Sequence, residues 1–204
     1  MIIVFEGVDN CGKTTIINRL QNEFEIDTLK MPSPEGAFYK EIEEIIDSRK
    51  YVKPTKKQLL FIANIVSQLN VLEKYKNNKD KHILLDRYLY STIAYGRVKR
   101  TNANFVPYIG MITDFLNLLP PDFIVYIRKP RIYDILNKKR LNSSVYDRNI
   151  ILQDSARTTF EGMINKQWKN IPLLITNFEL DKEEVMYHKI KLFLESKIKI
   201  KNLQ

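Results

Sequence analysis

The 204-residue chain has one cysteine, Cys11, and so no internal disulfide. A lone thiol fits a reducing, cytoplasmic setting. No apolar run reaches the roughly 18 residues that span a bilayer, so no membrane partner is expected. The opening MIIVFEG lacks a charged start and a small-residue cleavage site. It reads as a strand rather than a signal peptide. Internal repeats and low-complexity linkers are also missing, and the length suits one domain over residues 1–204 better than two. What is present is 44% hydrophobic residues, enough for an ordinary packed core.

Acidic residues are the minority: 24 against 33 Lys and Arg, a net charge of +9. Such a balance suits either nucleic acid or a small anionic ligand with a solvated Lys-rich surface. The basic residues are dispersed. The densest stretches, KKRLNSSVYDR and ESKIKIKNLQ, do not form one block. The small anionic ligand is therefore the expected partner, and nucleic acid is not.

Short apolar runs alternate with helical patterns. Strands are expected at Ile2–Phe5, about Ile26–Met31, His82–Asp86, Asp122–Ile127 and in PLLIT. A helix should open near Gly12, and another should cover about Ala37–Asp47. PTKKQLLFIANIVSQLNVLEKY reads as one helix, with Thr55 as cap and Gln58 completing a capping box. Helical segments continue to about Leu119, then at about Arg131–Arg140 and Arg148–Lys166. Asp181 and Glu184 start the last helix. Five strands in alternation with helices predict an α/β fold with a parallel sheet, whose ligands bind at the carboxyl ends of the strands.

Gly7, Gly12, Lys13 and Thr14 fit G-x-x-x-x-G-K-[ST] between a strand and a helix. In that pattern backbone amides turn inward around phosphate oxygens. The lysine reaches the β- and γ-phosphates, and the hydroxyl is a ligand for Mg²⁺. The helix adds its positive end. The loop from Gly7 through Asn10, Cys11 and Thr15 is thus the candidate donor site. Cys11 is either a small residue filling the loop or a thiol activated by Lys13 and the helix start. Asp9 is the odd member, because a loop that holds anions should exclude a carboxylate.

HILLDRY ends a strand with Asp86, and Arg87 comes directly after it. An acid there can hold Mg²⁺ with Thr14, and the guanidinium can grip a second phosphate. A simple Asp–Arg salt bridge is the competing reading.

FEGVDNCGKTT, LLFIAN, DRYLYSTIAYG and, more weakly, VYDRNIILQDSARTTF are spread along most of the chain. Together they resemble the thymidylate kinase family of P-loop nucleoside monophosphate kinases. The resemblance implies a three-layer P-loop kinase fold with a short lid at about 138–148. It also implies ATP and Mg²⁺, phosphorylation of dTMP to dTDP, and a homodimer for which the helix from Thr55 is a candidate interface. In this family the loop acid binds the 3′-hydroxyl of the acceptor sugar, which gives Asp9 a role as acceptor for a neutral donor.

Phe61 matches an aromatic that stacks on the pyrimidine, with a core role as the alternative. Asn64, Ile65 and Gln68 share its helix face, which makes Gln68 a candidate ligand. Tyr95 matches an aromatic lining the pocket, and Gln153 a glutamine that contacts the acceptor. Tyr146 falls near the sugar in the lid, and Ser91 reads as a local polar contact.

Two expected arginines are replaced, by Pro34 and by Ile65. Lys30 and Arg97 are possible substitutes. These losses keep open a kinase for another pyrimidine deoxynucleotide or a deoxynucleoside. Asn10 and Cys11 stand where some members carry a catalytic arginine. That charge must come from the lid, where Lys138, Lys139, Arg140 and Arg148 are candidates and Arg140 and Arg148 are preferred. Two rivals fit poorly: a switch GTPase lacks its guanine motif, and a nucleic-acid-dependent ATPase lacks a second helicase-type motif.

Overall fold

A computed structural model describes residues 1–47, 52–96, 109–130, 149–166, 170–178 and 182–198. Five parallel strands form one sheet: β1 Ile2–Glu6, β2 Asp27–Lys30, β3 Ile83–Asp86, β4 Phe123–Arg128 and β5 Leu173–Asn177. Their order is β2-β3-β1-β4-β5. β1 is central and buried at every position, which is why its sequence is apolar without alternation. Its neighbours are set by register: Phe5 lies opposite Asp86 on β3 and Val125 on β4.

The described helices are α1 Lys13–Phe24, α2 Tyr39–Asp47, α3 Pro54–Val66, α4 Leu69–Lys76, α5 Leu89–Gly96, α6 Ile109–Phe115, α7 Ile150–Lys166 and α8 Glu183–Glu195. Successive strand side chains point to opposite faces of the sheet, so two cores form. Ile2, Val4 and Leu85 pack with Ile62 and Ile65 of α3, Leu89 and Ile93 of α5, and Ala156, Phe160 and Met163 of α7. Ile3, Phe5 and Leu84 pack on the other side with Ile16 and Leu20 of α1 and with Met186, Ile190 and Leu194 of α8. The result is helix, sheet, helix. Chain order reverses about β1, so the carboxyl ends of β1, β3 and β4 open onto one crevice.

The single long helix expected from Pro54 onward is two, broken at Ser67 and Gln68. Its start also differs. Pro54 occupies the first turn, with Lys53 as cap, and no side chain caps the helix. Proline fits there because its missing amide would have had no intrahelical partner. Gln58 is buried against α5 instead of closing a capping box; its Nε2 points at the Thr92 carbonyl, 3.5 Å away. Helix α6 stops at Phe115, short of the expected Leu119, and the other described strand and helix ends lie close to expectation. The expected helix 131–140, the lid at 138–148, Arg97 and Asp181 lie outside the described residues.

The loop after β2 is fastened by Asn64 of α3, which is wholly buried. Its Oδ1 accepts from the Ser33 amide at 2.7 Å, and its Nδ2 donates to the carbonyls of Ser33 and Ala37 at 3.1 and 3.0 Å. Asn64→Ala strands these groups. The expected loss is about 2–4 kcal/mol in urea unfolding, and a loss under about 0.5 kcal/mol would contradict this role.

Candidate active site

The phosphate loop links β1 to α1. Gly7 has φ +149°, and a Cβ there would meet the Ile127 carbonyl oxygen at 2.6 Å and Cys11 Sγ at 2.9 Å. Asn10 at φ 55° and Gly12 at φ 86° also lie in the left-handed region, which turns successive amides toward one point. Lys13 is buried, and its Nζ bridges the loop: it donates to the carbonyls of Gly7 (3.1 Å) and Val8 (2.9 Å) and to Cys11 Sγ (3.3 Å). Cys11 is 1% exposed, so it fills the loop rather than presenting a thiol to solvent. Thr14 and Thr15 are exposed at the start of α1.

The Thr14 hydroxyl donates to Asp86 Oδ2 at 2.6 Å. Asp86 Oδ1 is buried and, among the described residues, has no hydrogen-bond partner. A carboxylate oxygen in that state is suited to a cation or its bound water, so Thr14 and Asp86 together fit Mg²⁺.

Arg87 comes directly after β3 with φ 74°, a strained value for a non-glycine residue. Its Nη1 donates to the Gly7 carbonyl (3.0 Å) and to Ser91 Oγ (2.9 Å), and its Nη2 donates to Asp9 Oδ1. The Arg87–Asp9 pair is only about one-fifth exposed, 17% and 21%, so it is not a screened surface bridge. Gln153 of α7 grips Asp9 from the other side. Its Nε2 donates to Asp9 Oδ2 at 2.6 Å, and its Oε1 accepts from the Asp9 amide at 3.1 Å. The Tyr95 hydroxyl donates to the same Oε1 at 3.1 Å, and the Tyr95 ring lies 5.3 Å from the Arg87 guanidinium carbon.

Burial works against charge on Asp9, but Arg87 and Lys13 outweigh it and hold the carboxyl below its ordinary value. Arg87 is raised although burial opposes this, because Asp9 stands beside it. Burial and the Asp9 charge push the Tyr95 phenol well up, so it stays a neutral donor.

The structure therefore brings Asp9, Arg87, Tyr95 and Gln153 together beside Lys13, Thr14 and Asp86. Phe61 is half-buried and, among the described residues, belongs to neither core cluster, which suits a pocket wall. Gln68 sits at the break between α3 and α4, where its Nε2 donates to Ser67 Oγ at 3.4 Å. Asn64 and Ile65, expected on the Phe61 face, are otherwise engaged: Asn64 fastens the loop, and Ile65 is in the core. Pro34 and Lys30 are exposed. Arg140, Tyr146 and Arg148 lie outside the described residues, as do Lys138 and Lys139.

A thymidylate kinase family profile matches residues 5–187. The chain belongs to the thymidylate kinase family. A probable thymidylate kinase of Methanocaldococcus jannaschii is 30% identical over 186 residues, 84% of this chain and 97% of that protein. A putative thymidylate kinase of invertebrate iridescent virus 6 is 24% identical over 208 residues, 92% of this chain and 93% of its own length. The fold matches that of thymidylate kinase from Candida albicans, with a TM-score of 0.74 at 20% identity over 96% of this chain and 91% of the other. It also matches deoxyadenosine kinase from M. mycoides with bound dATP, with a TM-score of 0.69 at 19% identity over 96% and 99%. Membership makes the chain a nucleotide-kinase enzyme on a P-loop kinase fold. Among the described residues no helix is long and apolar enough to cross a membrane.

Two residues of this thymidylate kinase family site are not apparent from the sequence. Lys129, just past β4, is 1% exposed and donates to the Asp9 carbonyl at 3.1 Å, while its own carbonyl accepts from Arg157 Nε at 2.9 Å. Its one sequence signal is a place at the carboxyl end of a strand. Glu6, the last residue of β1, is wholly buried, and burial pushes its carboxyl up to about 7 against hydrogen bonds from Ser91 and Tyr88 and the charges of Arg87 and Lys13.

Glu6 makes stability depend on pH. Between the ordinary glutamate value of 4.5 and about 7 the folded protein holds a proton that the unfolded chain has released. Stability therefore falls as pH rises through that window, by about 3 kcal/mol in all. The always-neutral Glu6→Gln lacks this slope. Urea unfolding at pH 5 and pH 8 should show the variant gaining on wild type by up to about 3 kcal/mol. An equal difference at both pH values would contradict the assignment.

Proposed function

We propose that this enzyme transfers the γ-phosphoryl group of ATP to dTMP, giving dTDP and ADP. The observation that carries the reading is the Asp9–Arg87 pair beside the phosphate loop. Such a pair is suited to offer an acceptor to a sugar hydroxyl and a cation to a second phosphate beside the loop. Asp9 keeps capacity for a further donor, because Arg87 and Gln153 each use one oxygen and a carboxylate oxygen accepts two bonds.

In this reading Lys13 and the loop amides hold the β- and γ-phosphates, and Arg87 holds the acceptor phosphate. An oxygen of the acceptor phosphate attacks the γ-phosphorus. The bond to the β–γ bridging oxygen breaks, and its electron pair leaves with ADP. An ionised acceptor phosphate needs no general base. Thr14 and Asp86 would hold Mg²⁺, whose bound charge offsets that of the donor phosphates. The lid cations Arg140 and Arg148 are proposed to complete the charge and exclude water, with Tyr146 near the sugar. Phe61 and Tyr95 form the base and sugar walls.

A second reading, a kinase for another pyrimidine deoxynucleotide or a deoxynucleoside, is favoured by the absence of two arginines. Ile65 is 1% exposed in the core and Pro34 is in a solvent-exposed loop, so neither supplies charge. The enzyme is further proposed to act as a homodimer through α3, where Leu59 is 56% exposed.

ADP release measured against dTMP, dUMP, dCMP and thymidine tests this function. The expected order puts dTMP first. A preference for thymidine, or no turnover of any of the four, would overturn it. The Asp9 role has its own test. Wild type should favour dTMP over its 3′-deoxy analogue by about tenfold or more in kcat/KM, and Asp9→Asn should shrink that ratio toward one. A ratio unchanged by the substitution would remove the sugar contact from the account.

A further inference from the structure

Glu6 has no part in the transfer step, yet it is tied to the residue that does. Its Oε1 accepts from the amides of Tyr88 (2.9 Å) and Ser91 (3.2 Å), which fixes the start of α5. Its Oε2 accepts from the Ser91 hydroxyl. A hydroxyl has one proton. Once that proton is given to Glu6, the Ser91 oxygen presents only lone pairs to Arg87 Nη1, which donates to it at 2.9 Å. The other Nη1 proton goes to the carbonyl of Gly7, the residue after Glu6, at 3.0 Å. Both Nη1 protons are thus held by the end of β1 and its contacts, and Nη2 is turned to Asp9. The strained backbone of Arg87, φ 74°, persists only where its surroundings fix it this fully.

We propose that Glu6 is a positioning residue for the acceptor phosphate: through the Ser91 hydroxyl and its own junction with Gly7, it locks Nη1 of Arg87 and so aims Nη2 at Asp9 and the acceptor. This rests on the reading of Arg87 as the acceptor-phosphate ligand. The arrangement also couples the two substrates mechanically. The first residue of the donor loop and the acceptor's cation share one hydrogen-bonded unit, so the distance between the phosphates is set before either nucleotide arrives.

The test uses Ser91→Ala, Ser91→Thr and Glu6→Gln in full-length protein at pH 8. Glu6→Gln keeps the shape and can keep both amide bonds. Its own NH₂ donates to the Ser91 oxygen, however, so the hydroxyl proton loses its carboxylate acceptor and no longer fixes that oxygen's lone pairs on Arg87. Ser91→Ala and Glu6→Gln are expected to raise the KM for the best acceptor of the wild-type enzyme about tenfold, with KM for ATP within about twofold of wild type. Ser91→Thr, which keeps a hydroxyl, is expected to stay near wild type. A crystal structure of Ser91→Ala should show Arg87 Nη1 released from the Gly7 carbonyl. An unchanged acceptor KM in both variants, or equal rises in both substrates' KM, overturns the proposal. So does an unmoved Arg87 in the crystal, whatever the acceptor proves to be. Failure of the kinase reading itself shows separately, as wild-type protein that turns over none of the acceptors.

Discussion

A carboxylate in a phosphate-binding loop is tolerable only if a fixed cation stands next to it. Arg87 is that cation for Asp9, and much of the crevice is organised to hold the two together. β1 and β3 are adjacent and parallel, so their carboxyl ends deliver the loop and the arginine to the same place. The strained φ of Arg87 turns its side chain back over the loop, where Gly7, Ser91 and Asp9 receive it. Gln153 closes Asp9 from α7, and Lys129 ties its carbonyl to the end of β4. The pair is partly buried, so removing one partner would leave an uncompensated charge beside a third, Lys13. The pair thus sets a carboxylate and a guanidinium side by side next to the loop.

The architecture was legible in the sequence because a buried parallel strand is written as an uninterrupted apolar run. IIVF, ILLD and FIVYI each announce a central strand, and the glycine-lysine loop fixes the turn and helix after the first. The phosphate-loop pattern was equally plain, since its spacing reflects backbone geometry that glycines permit at Gly7 and Gly12. Asp86 and Arg87 were visible by their place at a strand end.

The features that stayed hidden depend on contacts between distant segments. Gln58 looked like a capping residue because its spacing from Thr55 fits, but burial against α5 outweighed the local pattern. Asn64 was noted only as sharing the Phe61 helix face, yet it satisfies three backbone groups of a loop some thirty positions away. Gln153 was placed by resemblance as an acceptor contact, but its bonds to Asp9 and Tyr95 were not legible. Glu6 read as one more strand residue. Its importance lies in a hydroxyl and two amides over eighty positions along the chain, which no periodicity in the sequence reports.

The central claim is geometric: one crevice grips the donor phosphates with the loop and the acceptor with Asp9 and Arg87. A crystal structure with an adenosine–thymidine bisubstrate analogue, its two nucleosides joined through a phosphate chain, tests it most directly. The account predicts donor phosphates in the amide ring over Lys13, an acceptor-side phosphate oxygen on Arg87, and the thymidine 3′-hydroxyl donating to Asp9. A thymidine moiety bound away from residues 9 and 87, with the phosphate chain still in the loop, would contradict it.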